Sequence, residues 1–190
     1  MPSIVPTSLP EVLMIDPDVY QDVRGFFLET YQAAKYTAAG IALPFVQDNH
    51  SRSQPGTLRG IHLQVEPVQS KLVRVVRGAV LDVAVDLRID SPTFGRWVSA
   101  ELSEENFRQM YVPAGFGHAF YVTRGPADVE YKVTSLYAAS GEIGVAWNDP
   151  ELGIEWPNTE PILSGRDRSL PRVSEIRSRL LTVAQCAARR

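Results

Sequence analysis

Hydrophobic and polar positions alternate most clearly in "VLDVAVDLR". Leu81, Val83, Val85 and Leu87 point one way and Asp82, Ala84, Asp86 and Arg88 the other, the two-residue period of a strand. Short β-favouring stretches separated by glycine and proline recur at Lys71–Val76, Ala79–Arg88, Trp97–Leu102, Gln109–Val112, His118–Thr123 and Val129–Tyr137. Strands spaced so evenly predict an antiparallel sandwich or barrel. In a sandwich Asp82 would face water, whereas in a barrel that holds a polar ligand the same alternation aims it into a cavity; the pattern leaves both open.

Two helices are expected. The stretch Glu29 to Ala39 is alanine-rich and ends at Gly40, a residue suited to the position just past a helix. Ser174 is the expected cap of a second helix, whose apolar stripe of Ile176, Leu180, Val183, Ala184 and Ala187 packs on the body of the protein. Alternation is weaker over the first seventy residues. They are expected to form an arm, the natural candidate for crossing to a partner subunit.

Composition acts mainly by exclusion. A chain of 190 residues with 44% hydrophobic and 22% charged residues suits a single domain with a core that needs neither disulfides nor a structural metal. A net charge of -3 lacks the basic footprint of a nucleic-acid binder. The lone cysteine, Cys186, excludes an intrachain disulfide and any CxxC pair. The opening "MPSIVPTSLPEVLMID" has neither the charged region nor the apolar core of a signal peptide, and no run approaches the roughly 18 apolar residues of a membrane helix. A cytoplasmic location without a membrane partner is expected.

Three histidines carry the candidate chemistry. His50, in the polar segment "VQDNHSRS", is expected at the surface. His118 lies in "VPAGFGHAF", whose P-x-G-x-x-H spacing resembles the second motif of the cupin superfamily, where the histidine points into a small barrel. The first cupin motif is altered. His62-Leu63-Gln64 stands where metal-binding cupins carry H-x-H, and Lys71, separated from Gly78 by six residues, stands where they carry a glutamate ligand. An ammonium has no lone pair for a cation and repels it, so the metal site is read as dismantled, with a fixed positive charge in its place. Such a charge stabilises an enolate oxyanion, and a neutral histidine beside it can remove the proton α to a carbonyl. Tyr131, sharing a strand face with Val129 and Val133, is a candidate acid on the opposite side; taken alone it would be a core tyrosine with a bonded hydroxyl.

"DVRGFFLE" at 22–29, "FVQDNHSRS" at 45–53, "TLRGIHLQ" at 57–64 and "KLVRVVRGAVLDVAVDLR" at 71–88 are followed in order by "SPTFGRWV", "VPAGFGHAF", "EYK" and "WNDPELGIEWP". This series, from about Val12 to Pro171, resembles the dTDP-4-dehydrorhamnose 3,5-epimerase family. The resemblance implies a mainly β cupin-type jelly-roll barrel with a few short helices. It implies one epimerase domain over 1–190, with an arm over about 1–50, a barrel over about 51–150 and a C-terminal segment and helix over 151–190. It implies a homodimer, a dTDP-sugar substrate, and neither metal nor cofactor. His62 matches the family's base, Asp167 in "SGRDRSLP" the carboxylate that orients it, and Tyr131 the proton donor. Lys71, Arg59 and His118 match the group around the C4 carbonyl and the diphosphate. Arg24, Glu29, Gln47, Asn49 and Glu142 match nucleotide-binding positions.

Two departures stand out. Leu136 replaces the first of two aromatics beside Tyr137, and Arg166 replaces the lysine that usually precedes the Asp167 position. Both bear on nucleotide or sugar preference. The resemblance implies inversion of C3 and C5 of dTDP-4-dehydro-6-deoxy-D-glucose in deoxysugar-nucleotide synthesis. A single-centre epimerase, a 3,4-ketoisomerase, a sugar-nucleotide-binding cupin and a metal-dependent oxygenase are the competing expectations.

Overall fold

The four stretches expected as separate strands at 71–76, 79–88, 118–123 and 129–137 form only two strands, each long and bent. A computed structural model describes residues 2–42 and 44–188, so residues 1 and 43 and the last two of the expected C-terminal segment lie outside it. In chain order, β1 (Ser3–Pro6) and β2 (Leu13–Asp16) pair with each other, and β3 (Val19–Asp22) and β4 (Gly25–Leu28) form a separate hairpin. Next come α1 (Ala33–Ala38), β5 (Gln47–Ser53), β6 (Leu58–Gln64) and the 16-residue β7 (Lys71–Asp86). Then follow β8 (Trp97–Ser103), β9 (Gln109–Val112), the 18-residue β10 (Phe116–Val133) and β11 (Glu142–Gly144). Three short helices close the chain: α2 (Gly165–Arg168), α3 (Val173–Ile176) and α4 (Val183–Ala188).

Gly78 explains how β7 stays one strand. Its φ is +72°, and a Cβ there would lie 2.6 Å from the Arg124 carbonyl oxygen, so the bend admits no side chain. The irregularity also shifts the side-chain phase by one residue. Val73 and Val75 before it, and Val80 and Ala84 after it, therefore enter the same core. Register breaks between Val122 and Val129 do the same for β10, whose Phe116, Phe120 and Val122 share that core with Ala127 and Val129.

The bends fold the sheet onto itself in two antiparallel layers. One layer runs β2, β9, the first half of β7, the second half of β10, and β5. The other runs β8, the second half of β7, the first half of β10, β6 and β11. The main core fills the space between them. The outer face of the second layer, with Ile61, Val83 and Val85, is covered by Val173, Ile176 and Leu180 from the C-terminal segment. Tyr36 and Ile41 cover Ile15, Leu72 and Tyr111 on the first layer. This two-layer roll is the jelly-roll, cupin-type barrel expected from the sequence, mainly β with short helices. Among the described residues no helix is long and apolar enough to cross a membrane.

Tertiary contacts shorten the expected helices. Residues 29–31 stay extended because the Thr30 carbonyl accepts from Tyr36 Oη (3.1 Å) and Gln109 Nε2 (2.8 Å), and α1 starts only after Gln32, whose side chain caps Lys35 N. The helical turn ends at Gly40, as its φ of +92° requires. Ser174 is not a cap. Arg172 takes that place, with the Glu175 carboxylate accepting from its backbone N–H at 2.7 Å. The expected stripe then breaks at Leu180, which is extended, and in α4 it is Cys186 that is buried while Val183, Ala184 and Ala187 are exposed.

Candidate active site

Where the layers part at one end of the barrel, the apolar core gives way to a polar cavity of about 270 Å³, lined by Arg59, His62, Lys71, His118, Tyr131 and Asp167, with Ser51, Phe120, Ser164 and Arg166. The strands explain this gathering. In β6, Gly60 (φ +115°) carries an irregularity in which Arg59 faces Phe120 and His62 faces His118, so two residues three apart share the inner face. A Cβ at Gly60 would lie 2.6 Å from the His118 carbonyl oxygen, which makes the close approach of β6 to β10 dependent on glycine. Tyr131 and Lys71 come from the facing layer, opposite Val73 and Val133 respectively.

His62 Nε2 lies 2.6 Å from Asp167 Oδ1. Asp167 arrives on α2, where Ser164 is the N-cap and its Oγ accepts from Asp167 N at 3.0 Å, a contact of a kind that contributes about 1 kcal/mol. Burial pushes the Asp167 carboxyl up, but hydrogen bonds with His62 and Ser164 and the charges of His62 and Arg166 hold it below the usual carboxylate range. With Nε2 held by a carboxylate, Nδ1 is the ring nitrogen left to accept a proton.

Lys71 Nζ reaches across the layers to 3.5 Å from the His62 carbonyl oxygen. Burial pushes its ammonium down to about 8, against the pull of Glu142 and Asp82. Burial also pushes the Tyr131 phenol up, assisted by Glu142 and opposed by Arg59. Asp82, open to either face in the sequence, points inward: it is fully buried and its Oδ1 lies 2.8 Å from His118 Nε2. A second histidine–aspartate couple therefore stands in the wall of the same cavity.

Gln64, where metal-binding cupins carry a histidine, is buried and donates to Pro67 O, Ser135 Oγ and Leu136 O while accepting from Ala138 N. It fastens the 134–138 loop instead of aiming at the cavity. Among the described residues no cluster of three or more His, Cys, Asp or Glu is placed to hold a metal ion.

The remaining expected residues divide. Arg166 lines the cavity and pairs with Glu142 at 2.6 Å, and Tyr137 Oη donates to the same Glu142 oxygen at 3.0 Å. Gln47 and Asn49 continue the inward row of Ser51 along β5 and are bonded to each other at 2.8 Å. Arg24 and Glu29 lie outside the cavity, paired with Asp22 and Lys35. His50 lies on the outer, exposed face of β5. The sequence reading missed Ser51, Phe120 and Ser164. Two-residue spacing from Asn49 and His118 marks the first two, and the S-x-x-D spacing before Asp167 marks the third.

A jelly-roll barrel that sets a histidine–aspartate couple, an ammonium and a phenol around one polar cavity defines a cupin-fold enzyme able to move protons at carbon. Residues 6–175 match the family model described as dTDP-4-dehydrorhamnose 3,5-epimerase. The dTDP-4-dehydrorhamnose 3,5-epimerase of Pseudomonas aeruginosa is 52% identical over 163 residues, 85% of this chain and 90% of that one. A Legionella pneumophila dTDP-6-deoxy-D-glucose-3,5-epimerase, crystallised with dTDP-4-keto-L-rhamnose, superposes with a TM-score of 0.93 at 45% identity, covering 96% of this chain and 98% of its own. A dTDP-4-dehydrorhamnose 3-epimerase of Streptomyces niveus is 40% identical over 96% of this chain and 90% of its own. The chain belongs to the dTDP-4-dehydrorhamnose 3,5-epimerase family.

Proposed function

We propose that this enzyme inverts C3 and C5 of dTDP-4-dehydro-6-deoxy-D-glucose to give dTDP-4-dehydro-L-rhamnose. One observation carries the reading: His62 with Asp167, and Tyr131 from the facing layer, line a single cavity with Lys71 between the layers. His62 takes the proton α to the C4 carbonyl, and the carbon–hydrogen electron pair moves into the carbonyl to form an enolate. Lys71, with Arg59 and His118 beside it, stabilises the oxyanion. Tyr131 delivers a proton to the opposite face as the enolate collapses. The His62 proton returns to solvent and Tyr131 recovers one, so each turnover is a net isomerisation with no redox change. A phenol kept neutral by burial suits the acid, and a carboxylate behind the ring suits the base. The cation that the step needs is supplied by Lys71, and the reading assigns no step to a metal or a cofactor.

Arg59 and Arg166 suit the diphosphate because a guanidinium binds two oxygens at once. Gln47, Asn49 and Glu142 extend the cavity toward the nucleotide. Arg24 and Glu29 belong to this site only if the arm serves a partner's cavity. The β3–β4 hairpin supports that arrangement: it is apart from the main sheet and exposes Tyr20, Val23, Phe26 and Phe27. The reading is thus of a homodimer in the cytoplasm; a monomeric mass in light scattering would refute the first part.

Incubation with the 4-keto-6-deoxy sugar nucleotide in deuterated water, followed by NMR, tests the activity. Deuterium at C3 and C5 with both centres inverted is the expected result. The Streptomyces niveus relative favours a second reading, inversion at C3 alone, which predicts label at that carbon only. Bound nucleotide with no label at either carbon rules out both.

A further inference from the structure

From Ser135 to Ala138, the loop that leaves β10 is gripped by glutamine side chains. Gln69 Nε2 donates to the Ser135 carbonyl oxygen at 2.9 Å, and Gln64 Nε2 to that of Leu136 at 3.1 Å. Gln47 Oε1 accepts from Tyr137 N at 3.1 Å, and Gln64 Oε1 from Ala138 N at 2.8 Å. Gln64 contributes most. It is buried, and its Nε2 also lies 3.1 Å from Ser135 Oγ and 2.8 Å from Pro67 O, so both ends of its amide are engaged.

These bonds bracket one residue. Leu136 O and Tyr137 N belong to the peptide before Tyr137, and Ala138 N to the peptide after it, so the chain is fixed on both sides of that ring. Tyr137 is the one aromatic residue of the loop, and it remains 54% exposed. Its Oη donates to Glu142 Oε2, the oxygen that also pairs with the cavity-lining Arg166. The ring therefore stands beside the cavity, tied at its backbone and its hydroxyl, with its body open. A flat ring next to a guanidinium suits a nucleobase followed by phosphate, and ordering it in advance removes a cost that binding would otherwise carry. Gln64 also ties this loop to the strand of the base. It lies two residues after His62 in β6 and faces Glu142 across the β6–β11 ladder.

We propose that Gln64 is a positioning residue for nucleotide binding: by holding the peptides on both sides of Tyr137, it presents that ring to the base before substrate arrives. Gln69 and Gln47 are lesser holds on the same loop. The position where metal-binding cupins carry a ligand thus serves binding through a loop. Its effect falls on affinity and not on proton transfer, because His62, Asp167, Lys71 and Tyr131 make none of these contacts. The inference rests on the reading of this cavity as a site for a nucleoside diphosphate sugar.

Calorimetric titration of the full chain with dTDP, alongside steady-state turnover of the sugar nucleotide, tests the assignment. Gln64→Met keeps the side chain's length and removes its bonds to the loop. Its Kd for dTDP and its KM should each rise about tenfold, with kcat within about threefold of wild type. Tyr137→Ala should raise the Kd by a similar factor. The deciding readout is the double variant: in Tyr137→Ala, adding Gln64→Met should move the Kd by less than about twofold, because both changes act through one ring. Independent effects that multiply to about a hundredfold would mark a merely structural role and overturn the proposal. A wild-type Kd in Gln64→Met overturns it as well, while leaving the epimerase reading intact. Should Gln64→Met lack a cooperative melt, Gln69→Ala is read by the same cycle, with an expected rise of about threefold. Failure of dTDP to bind the wild type overturns the nucleotide reading and this inference with it.

Discussion

Two histidine–aspartate couples share one cavity, and they are built differently. His62 is 23% exposed at its side chain, and its partner Asp167 comes from a four-residue helical turn in the C-terminal segment. His118 is 8% exposed, and its partner Asp82 lies in the middle of β7 with no exposed surface and with Oδ2 bonded to no other group among the described residues. A base must exchange its proton with solvent after every turnover, and the first couple is the more open of the two to such exchange. In the second, His118 faces the cavity with Asp82 buried behind it, and the couple sets wall shape and local charge. On the proposed mechanism the same residue types at similar distances therefore do different work, and the surroundings of the carboxylate decide which.

Removing the first couple's ring gives the largest expected effect. His62→Ala should slow deuterium exchange into the substrate by about 10³-fold or more, since general bases contribute about 10²–10⁴-fold. Equal exchange in that variant would leave the comparison without its catalytic half. Asp167→Asn keeps the ring near its place but removes the charge behind it, and a loss of about 10²-fold in kcat is expected.

Lys71 sharpens the contrast through pH. On the proposed mechanism the ammonium is the active form, so kcat/KM should fall by about tenfold per unit as pH rises above about 8. Stability should move the other way. The folded-state value is depressed below the ordinary lysine range, so from about pH 8 up to that range the unfolded chain binds more protons than the folded one. The contribution of this residue to stability accordingly rises with pH across that window. Comparing Tm against pH for the wild type and Lys71→Met isolates that slope, which the variant should lack.

Asp82→Asn should show the smallest kinetic effect and the clearest structural one. Weakening a buried hydrogen bond costs about 1–3 kcal/mol, which lowers Tm by several degrees in a chain of this size, while kcat at pH 7 stays within about tenfold of wild type. If instead it matched Asp167→Asn in kcat with an unchanged Tm, the two couples would be functionally alike.

Much of this site could be read along the chain because its residues lie on strands, where a two-residue period states which side chains face together. His62, Lys71, His118 and Tyr131 were singled out that way or by motif spacing, and they line one cavity. The merging of strands was hidden, since the bends at Gly78 and near Gly125 keep a ladder continuous across residues that look like turns. The His118–Asp82 contact was hidden for a related reason. The direct cross-strand partner of Asp82 is Phe120, so the histidine reaches it diagonally from two residues away. Helix lengths failed where tertiary hydrogen bonds to Thr30 and the Arg172–Glu175 cap outweighed local preference. Arg24 and Glu29 stand apart because the hairpin and the segment after it lie away from this cavity in the single chain.

The most direct test of the two-faced proton transfer is Tyr131→Phe assayed in deuterated water, with exchange and inversion followed in the same sample. Loss of the acid should leave His62 exchanging protons on one face, so deuterium enters with retained configuration well ahead of any epimer. Inversion that keeps pace with exchange in that variant would contradict the account.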